Sequence, residues 1–242
     1  MDRQSRAALE PHLYAVEEPA QQRRRRRGLP LLSALLAVGL FAAVGVYVVD
    51  RREAPEVWQD GSVNGPWLAV FNGLGTTTYD DGTITLSPRA ARRPEQTHAG
   101  LVVSMKWYEN VDYTVSMRTV EQLRVGRPNP WEVGWVVWHY DTNRHFYYFA
   151  LKPNGWELGK VDPAFEGGQR FLATGERPAG YAARHRVRVR QIGDTMDIWV
   201  DGKPVTSYTD TDEPYLRGAV GVYCEDAVVE FSDMRVTSAL AD

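Results

Sequence analysis

Alternation of apolar and polar side chains is the feature that most narrows what this chain can become. In VDYTVSMRT (111–119), Val111, Tyr113, Val115 and Met117 alternate with Asp112, Thr114, Ser116 and Arg118. Successive side chains of a strand point to opposite faces, so this period of two marks a strand with one buried face. HRVRVRQI (185–192) repeats the pattern, with Val187 and Val189 on one side and Arg186, Arg188 and Arg190 on the other. Gly193-Asp194 turns the chain into TMDIWV (195–200), and Asp201-Gly202 is a strong hairpin signal before PVTSY. Further strand candidates are 83–87, 101–104, 132–140, 146–151, 218–223 and 227–236, and nothing past residue 52 keeps a helical period for ten residues. With 21 Gly, eight Trp and twelve Tyr, short strands and tight turns suit the composition. The expected class is all-β, a two-sheet jelly-roll sandwich. No internal repeat supports a propeller. Segment 161–184 is too long for a hairpin loop and predicts either a functional loop or an irregular edge crossing.

A second feature divides the chain. LPLLSALLAVGLFAAVGVYVV (29–49) carries no charge. Twenty-one residues at about 1.5 Å each span roughly 31 Å, the thickness of a bilayer core. Five arginines, Arg23 to Arg27, precede it and should stay in the cytoplasm. A cleaved leader is the rival reading, but the run is long and no A-x-A site closes it. The expected organisation is a basic, disordered cytoplasmic tail (1–28), a transmembrane signal-anchor helix (29–49), a linker (50–56) and an extracytoplasmic domain (57–238). That makes a single-pass protein of the cell membrane with its N-terminus inside. The Arg23–Arg27 block also suits anionic lipid head groups.

Charge excludes one partner class. Residues 54–242 hold 19 basic and 25 acidic side chains, a balance that argues against nucleic acid. Cys224 is the only cysteine, so no disulfide forms within the chain, and it reads as a small apolar strand residue.

The densest chemistry lies between Trp131 and Arg170. Trp131, Trp138, Tyr140, Tyr147 and Trp156 are the expected stacking residues, since sugar rings offer apolar C–H faces to aromatic rings. Glu132, Lys152, Glu157 and Lys160 would bind hydroxyls or charges. Strict alternation puts Trp138 and Tyr140 on one face, and Trp135 on the other with Val133, Val137 and His139; it leaves open which face is core. Glu132 and Glu157, with Asp162 near them, are the candidate carboxylates should the site cleave a glycosidic bond.

The order VDYTVSMRT … FYYFALKPNGWELGKVD … HRVRVRQIGDTMDIWVDGKPV … GAVGVYCEDAVVEFSDMRV resembles the concanavalin A-like lectin/glucanase superfamily over about residues 57–238. Within it, the chain is most similar to bacterial laminin-G-like and 3-keto-disaccharide-hydrolase-like domains of membrane-anchored envelope proteins. The resemblance implies a surface-anchored sandwich. It also implies a structural calcium ion, pointing to Asp233, with Asp60 as its partner near the first strand. The E-x-D-x-x-E strand of laminarinase-type hydrolases is absent; Glu225-Asp226 and Glu230 have the wrong spacing. The expectation is therefore a lectin-like domain for a cell-wall or exopolysaccharide. Two alternatives stand beside it: a glycoside hydrolase on a similar glycan, and a non-catalytic accessory subunit docking on a membrane protein of a polysaccharide synthesis complex.

Overall fold

The computed structural model describes residues 53–93 and 95–240; the predicted tail, the anchor and the first three residues of the linker (50–52) lie outside the described residues. Sixteen strands form among those described: β1 (Glu56–Trp58), β2 (Val63–Asn64), β3 (Trp67–Phe71), β4 (Thr76–Asp80), β5 (Thr83–Ser87), β6 (Ala99–Tyr108), β7 (Val111–Gln122), β8 (Gly134–Thr142), β9 (His145–Lys152), β10 (Gly155–Val161), β11 (Gln169–Gly175), β12 (His185–Ile192), β13 (Thr195–Val200), β14 (Lys203–Thr209), β15 (Gly218–Glu225) and β16 (Ala227–Ser238). They make two eight-stranded antiparallel sheets. The first runs β1-β4-β5-β16-β7-β12-β13-β14, and the second β11-β10-β9-β8-β15-β6-β3-β2.

The alternation works as the sequence says. Val111, Tyr113, Val115, Val187 and Val189 face the core between the sheets, packed with Phe231, Val136, Phe149 and Leu158. Full burial of side chains this size contributes about 1.5–3 kcal/mol each. The Asp201–Gly202 hairpin also forms: both residues take positive φ (53° and 74°), as a two-residue turn matched to strand twist requires. Segment 161–184 holds more order than expected. After a short 3₁₀ turn (Glu166–Gly168), β11 pairs with β10 and becomes the edge of the second sheet.

Strict alternation fails in β8. His139 has φ 47°, and the β8–β9 register shifts between Trp138 and Thr142. This bulge turns Tyr140 to the face carrying Trp135 and Val137, while Trp138 stays in the core. Gly218 makes room for it, because a Cβ there would lie 2.3 Å from the His139 carbonyl carbon. The expectation that Trp138 and Tyr140 share a face is therefore corrected.

Candidate functional site

The outer face of the second sheet is apolar, which a solvated sheet face would not be. Trp135 and Val137 of β8, Phe146, Tyr148 and Ala150 of β9, and Tyr223 of β15 pack there. Leu101, Val103 and Phe71 extend the surface across β6 and β3. The rings interlock: Trp135 and Tyr148 lie 4.6 Å apart between centroids, Trp135 and Tyr223 5.0 Å. Gly159, opposite Tyr148 on β10, lets that ring lie flat; a Cβ would sit 2.3 Å from its hydroxyl.

A cavity of about 260 Å³ opens on this surface. Phe71, Leu101, Trp135, Phe146, Val161 and Tyr223 supply apolar wall, Gly167 and Gly168 of the 3₁₀ turn part of the lip, and Asn143, Gln169 and Glu225 polar atoms. Among the described residues, no lysine or arginine lines it.

The polar groups are fixed by hydrogen bonds rather than left to rotate. Tyr223 Oη donates to Glu225 Oε1 at 2.6 Å, and Tyr140 Oη to Asn143 Oδ1 at 2.7 Å. Gln169 Nε2 donates to Tyr148 Oη at 2.9 Å, which donates onward to Glu157 Oε1 at 2.8 Å. Glu157 Oε2 accepts from Lys152 Nζ at 2.6 Å and from Trp131 Nε1 at 3.1 Å. Burial pushes the Glu225 carboxyl above its ordinary range, with Asp226 and Glu157 adding to the shift and the Tyr223 hydrogen bond opposing it. Rings that stack, edged by a carboxylate, two amides and a phenol, suit a ligand with apolar faces and hydroxyl edges.

No family model matches the chain, and no curated protein matches it. Solved structures do match by shape. The exoplasmic/lumenal domain of VIP36, in its Ca2+/Man3GlcNAc-bound form, aligns with TM-score 0.52 at 13% identity, over 75% of this chain and 86% of that one. Carbohydrate-binding module CBM66 from Bacillus subtilis aligns with TM-score 0.50 at 16% identity, over 74% and 97%. The described domain is an antiparallel two-sheet β-sandwich of the shape these two structures share.

On this sandwich the residues singled out from sequence separate into three groups. Trp138, Tyr147 and Trp156 lie between the sheets, where Trp138 stacks on Tyr147 and Trp156 on Phe149. Trp138 Nε1 also donates to Gln191 Oε1 at 2.7 Å. As core, these three do not present a stacking surface. Lys160 is fully buried on the same side, its ammonium 2.8 Å from Asp210 Oδ2. Lys152 and Glu157 belong to the outer face but pair beneath its surface, with the partly buried Trp131 against both; Tyr140 is partly buried at the other end of β8, beside Phe146. Glu132 is buried apart from the cavity wall, held at 2.9 Å by Arg124, which also binds Asp226 at 2.6 Å. Glu132 and Glu157 therefore do not flank the cavity as an acid/base pair. Burial without a long-range partner is costly, and each of these charges has a partner. The sequence reading passed over Phe71, Phe146, Gln169, Tyr223 and Glu225 as site residues; Tyr223 and Glu225 flank Cys224 by the same alternation that buries the thiol.

The calcium expectation meets a poor donor set. Asp60 is an exposed turn residue, and Asp233, at φ 51°, lines a depression with Asp81 that does not include Asp60. Among the described residues, no three acidic, His or Cys side chains group to hold a metal. Two carboxylates fall well short of the six to eight oxygens that calcium takes.

Proposed function

We propose that the chain is a lectin-like, carbohydrate-binding protein, anchored through residues 29–49 with its sandwich outside the cell membrane, and that it holds a neutral segment of a cell-wall or exopolysaccharide. The observation that carries this is the cavity on the second sheet, whose aromatic wall and fixed Asn143, Gln169 and Glu225 match the two-sided chemistry of a sugar ring. Its about 260 Å³ lies just below the roughly 300–1,000 Å³ of drug-sized ligand sites, a scale suited to one or two sugar rings of a longer chain. The VIP36 structure in the Man3GlcNAc-bound form, and the name of CBM66, support saccharide binding by sandwiches of this shape. The laminin-G-like reading within the class rests on the Asp201–Gly202 hairpin and the closing strand β16.

A glycan-array screen of the full chain, with calcium and with a chelator, tests the proposal. Glu225→Gln and Gln169→Ala should each weaken any hit by about 2–10-fold, the value of one hydrogen bond. If no glycan binds, or if both variants bind as the parent does, the cavity is not the site. One observation favours a hydrolytic reading: Glu225, protonated more readily than usual, could donate to a leaving oxygen. Sugars released by the parent and not by Glu225→Gln would move the protein to the hydrolases.

A further inference from the structure

The domain as a whole is acidic, yet the outer face of the first sheet collects arginines. Arg118 of β7, Arg186, Arg188 and Arg190 of β12, and Arg235 of β16 alternate with core residues and so point outward, with Arg184 just before β12. The acids on that face are fewer. Glu230 holds Arg118 at 2.7 Å and Arg184 at 3.1 Å. Asp112 grips Arg188, and Asp197 lies opposite Arg190. Asp201, at the rim, accepts from His185 Nδ1 and from the Arg186 amide. Arg186 and Arg235 have no carboxylate partner among the described residues.

Register turns these residues into a track. Arg235 pairs with Thr114, Thr114 with Arg188, and Arg188 with Trp199. At about 4.8 Å per strand this row spans roughly 14 Å. The next row on the same face, roughly 7 Å along the strands, runs Ser232–Ser116–Arg186. Where the rows meet, a cavity of about 460 Å³ is lined by Thr114, Arg186, Arg188, Trp199, Asp201 and Gly202. The Arg188 guanidinium lies 4.8 Å over the half-buried Trp199 ring, so ring and cation are held together before any ligand arrives.

We propose that this face is a second saccharide site, for an acidic glycan bearing carboxylate or sulfate groups. Trp199 offers a ring for a sugar face, Thr114 a hydroxyl for its edge, and Arg186 and Arg235 the planar forks that match carboxylate and sulfate. The two sites divide the chemistry. The cavity on the second sheet has a carboxylate and, among the described residues, no cation, whereas this one is lined by the guanidinium groups of Arg186 and Arg188 beside Asp201, with Arg235 in the same row as Arg188 two strands away. The face stands on its own observations and does not depend on the neutral-sugar site.

The test is binding of the full chain, in non-ionic detergent, to polygalacturonate and to uncharged dextran. Arg23 to Arg27 are changed to Ser in every sample, so that the tail does not capture the polymer. Polygalacturonate should bind and dextran should not. Arg186→Ser with Arg235→Ser should weaken binding by about tenfold or more, as two charge-assisted contacts are lost. Trp199→Leu should weaken it too, with the urea midpoint confirming that each variant is folded. Unchanged affinity in the arginine pair overturns the proposal. So does binding that ignores Trp199 and is matched by vesicles rich in phosphatidylserine, since the face would then serve a membrane surface.

Discussion

Lys160→Met tests whether the interior of this sandwich depends on a buried charge. The Lys160 ammonium donates to Asp210 Oδ2 at 2.8 Å, to the Asp212 carbonyl at 2.6 Å and to the Glu213 carbonyl at 3.2 Å, and lies 5.0 Å over the Tyr215 ring. It thereby ties β10 to the loop between β14 and β15. Asp210 is equally enclosed and also accepts from Tyr147 Oη at 2.6 Å. Removing one partner of such a pair leaves an uncompensated buried charge, a loss of about 3–5 kcal/mol. For a domain of roughly 190 residues, at about 2–4 °C per kcal/mol, the melting temperature should fall by about 6–20 °C. Urea unfolding of the full chain at pH 7, followed by tryptophan fluorescence, reads the loss directly. Adding Asp210→Asn keeps an acceptor for Tyr147 and removes the stranded charge, so the double variant should recover at least about 1 kcal/mol. Burial alone would raise the Asp210 carboxyl, but the hydrogen bonds from Lys160 and Tyr147 outweigh it and hold the group below its ordinary value of 3.8. The folded pKa therefore lies under the unfolded one. The pair's contribution is complete above about pH 4 and is lost as pH falls through the lower folded value, so the parent should lose its advantage over Lys160→Met in that acid range. A loss under about 1 kcal/mol, with no recovery in the double variant, would refute the reasoning.

Three further outcomes can be checked independently. Gly159→Ala forces a methyl to within 2.3 Å of the Tyr148 hydroxyl, so it should cost about 1–3 kcal/mol in urea unfolding and weaken any ligand of the nearby cavity. Cys224 is wholly buried and burial pushes its thiol well up, so a thiol reagent should react only as fast as the domain unfolds, measured by absorbance with and without urea. Arg124→Met strands Glu132 and Asp226 together and should destabilise by about 3–5 kcal/mol at pH 7. Burial raises the Glu132 carboxyl above its unfolded value even with Arg124 present, so the variant should regain stability as pH is lowered from 7.

Strand positions were legible because alternation is local. The residues at 111–119 and 185–192 declare their buried faces without knowing their neighbours, and Asp201-Gly202 declares its turn. What failed was whatever depended on distant residues. Only the pairing of β8 with β9 and β15 reveals the bulge at His139, so counting by two put Tyr140 on the wrong face. Lys160, Glu132 and Glu157 looked like surface charges because charged residues rarely sit in cores. Their burial is made tolerable by partners that spacing cannot reveal, such as Asp210, fifty positions beyond Lys160. The aromatic cluster was found, but half of it faces inward, and Tyr223 and Glu225 reach the site from a strand some seventy-five residues along.

The last strand, β16, does not lie at an edge: it fills the middle of the first sheet, between β5 and β7, while β15 sits between β8 and β6 in the second. Until residues 218–238 arrive, β1, β4 and β5 have no partner joining them to β7, and the second sheet stands in two halves. A chain synthesised from its N-terminus therefore cannot close either layer piecemeal, and the nascent domain must wait, with its apolar strands open, until nearly all of it has emerged. A ribosome stalled before residue 218 would leave a chain fit for capture by a chaperone or protease, not a smaller stable domain.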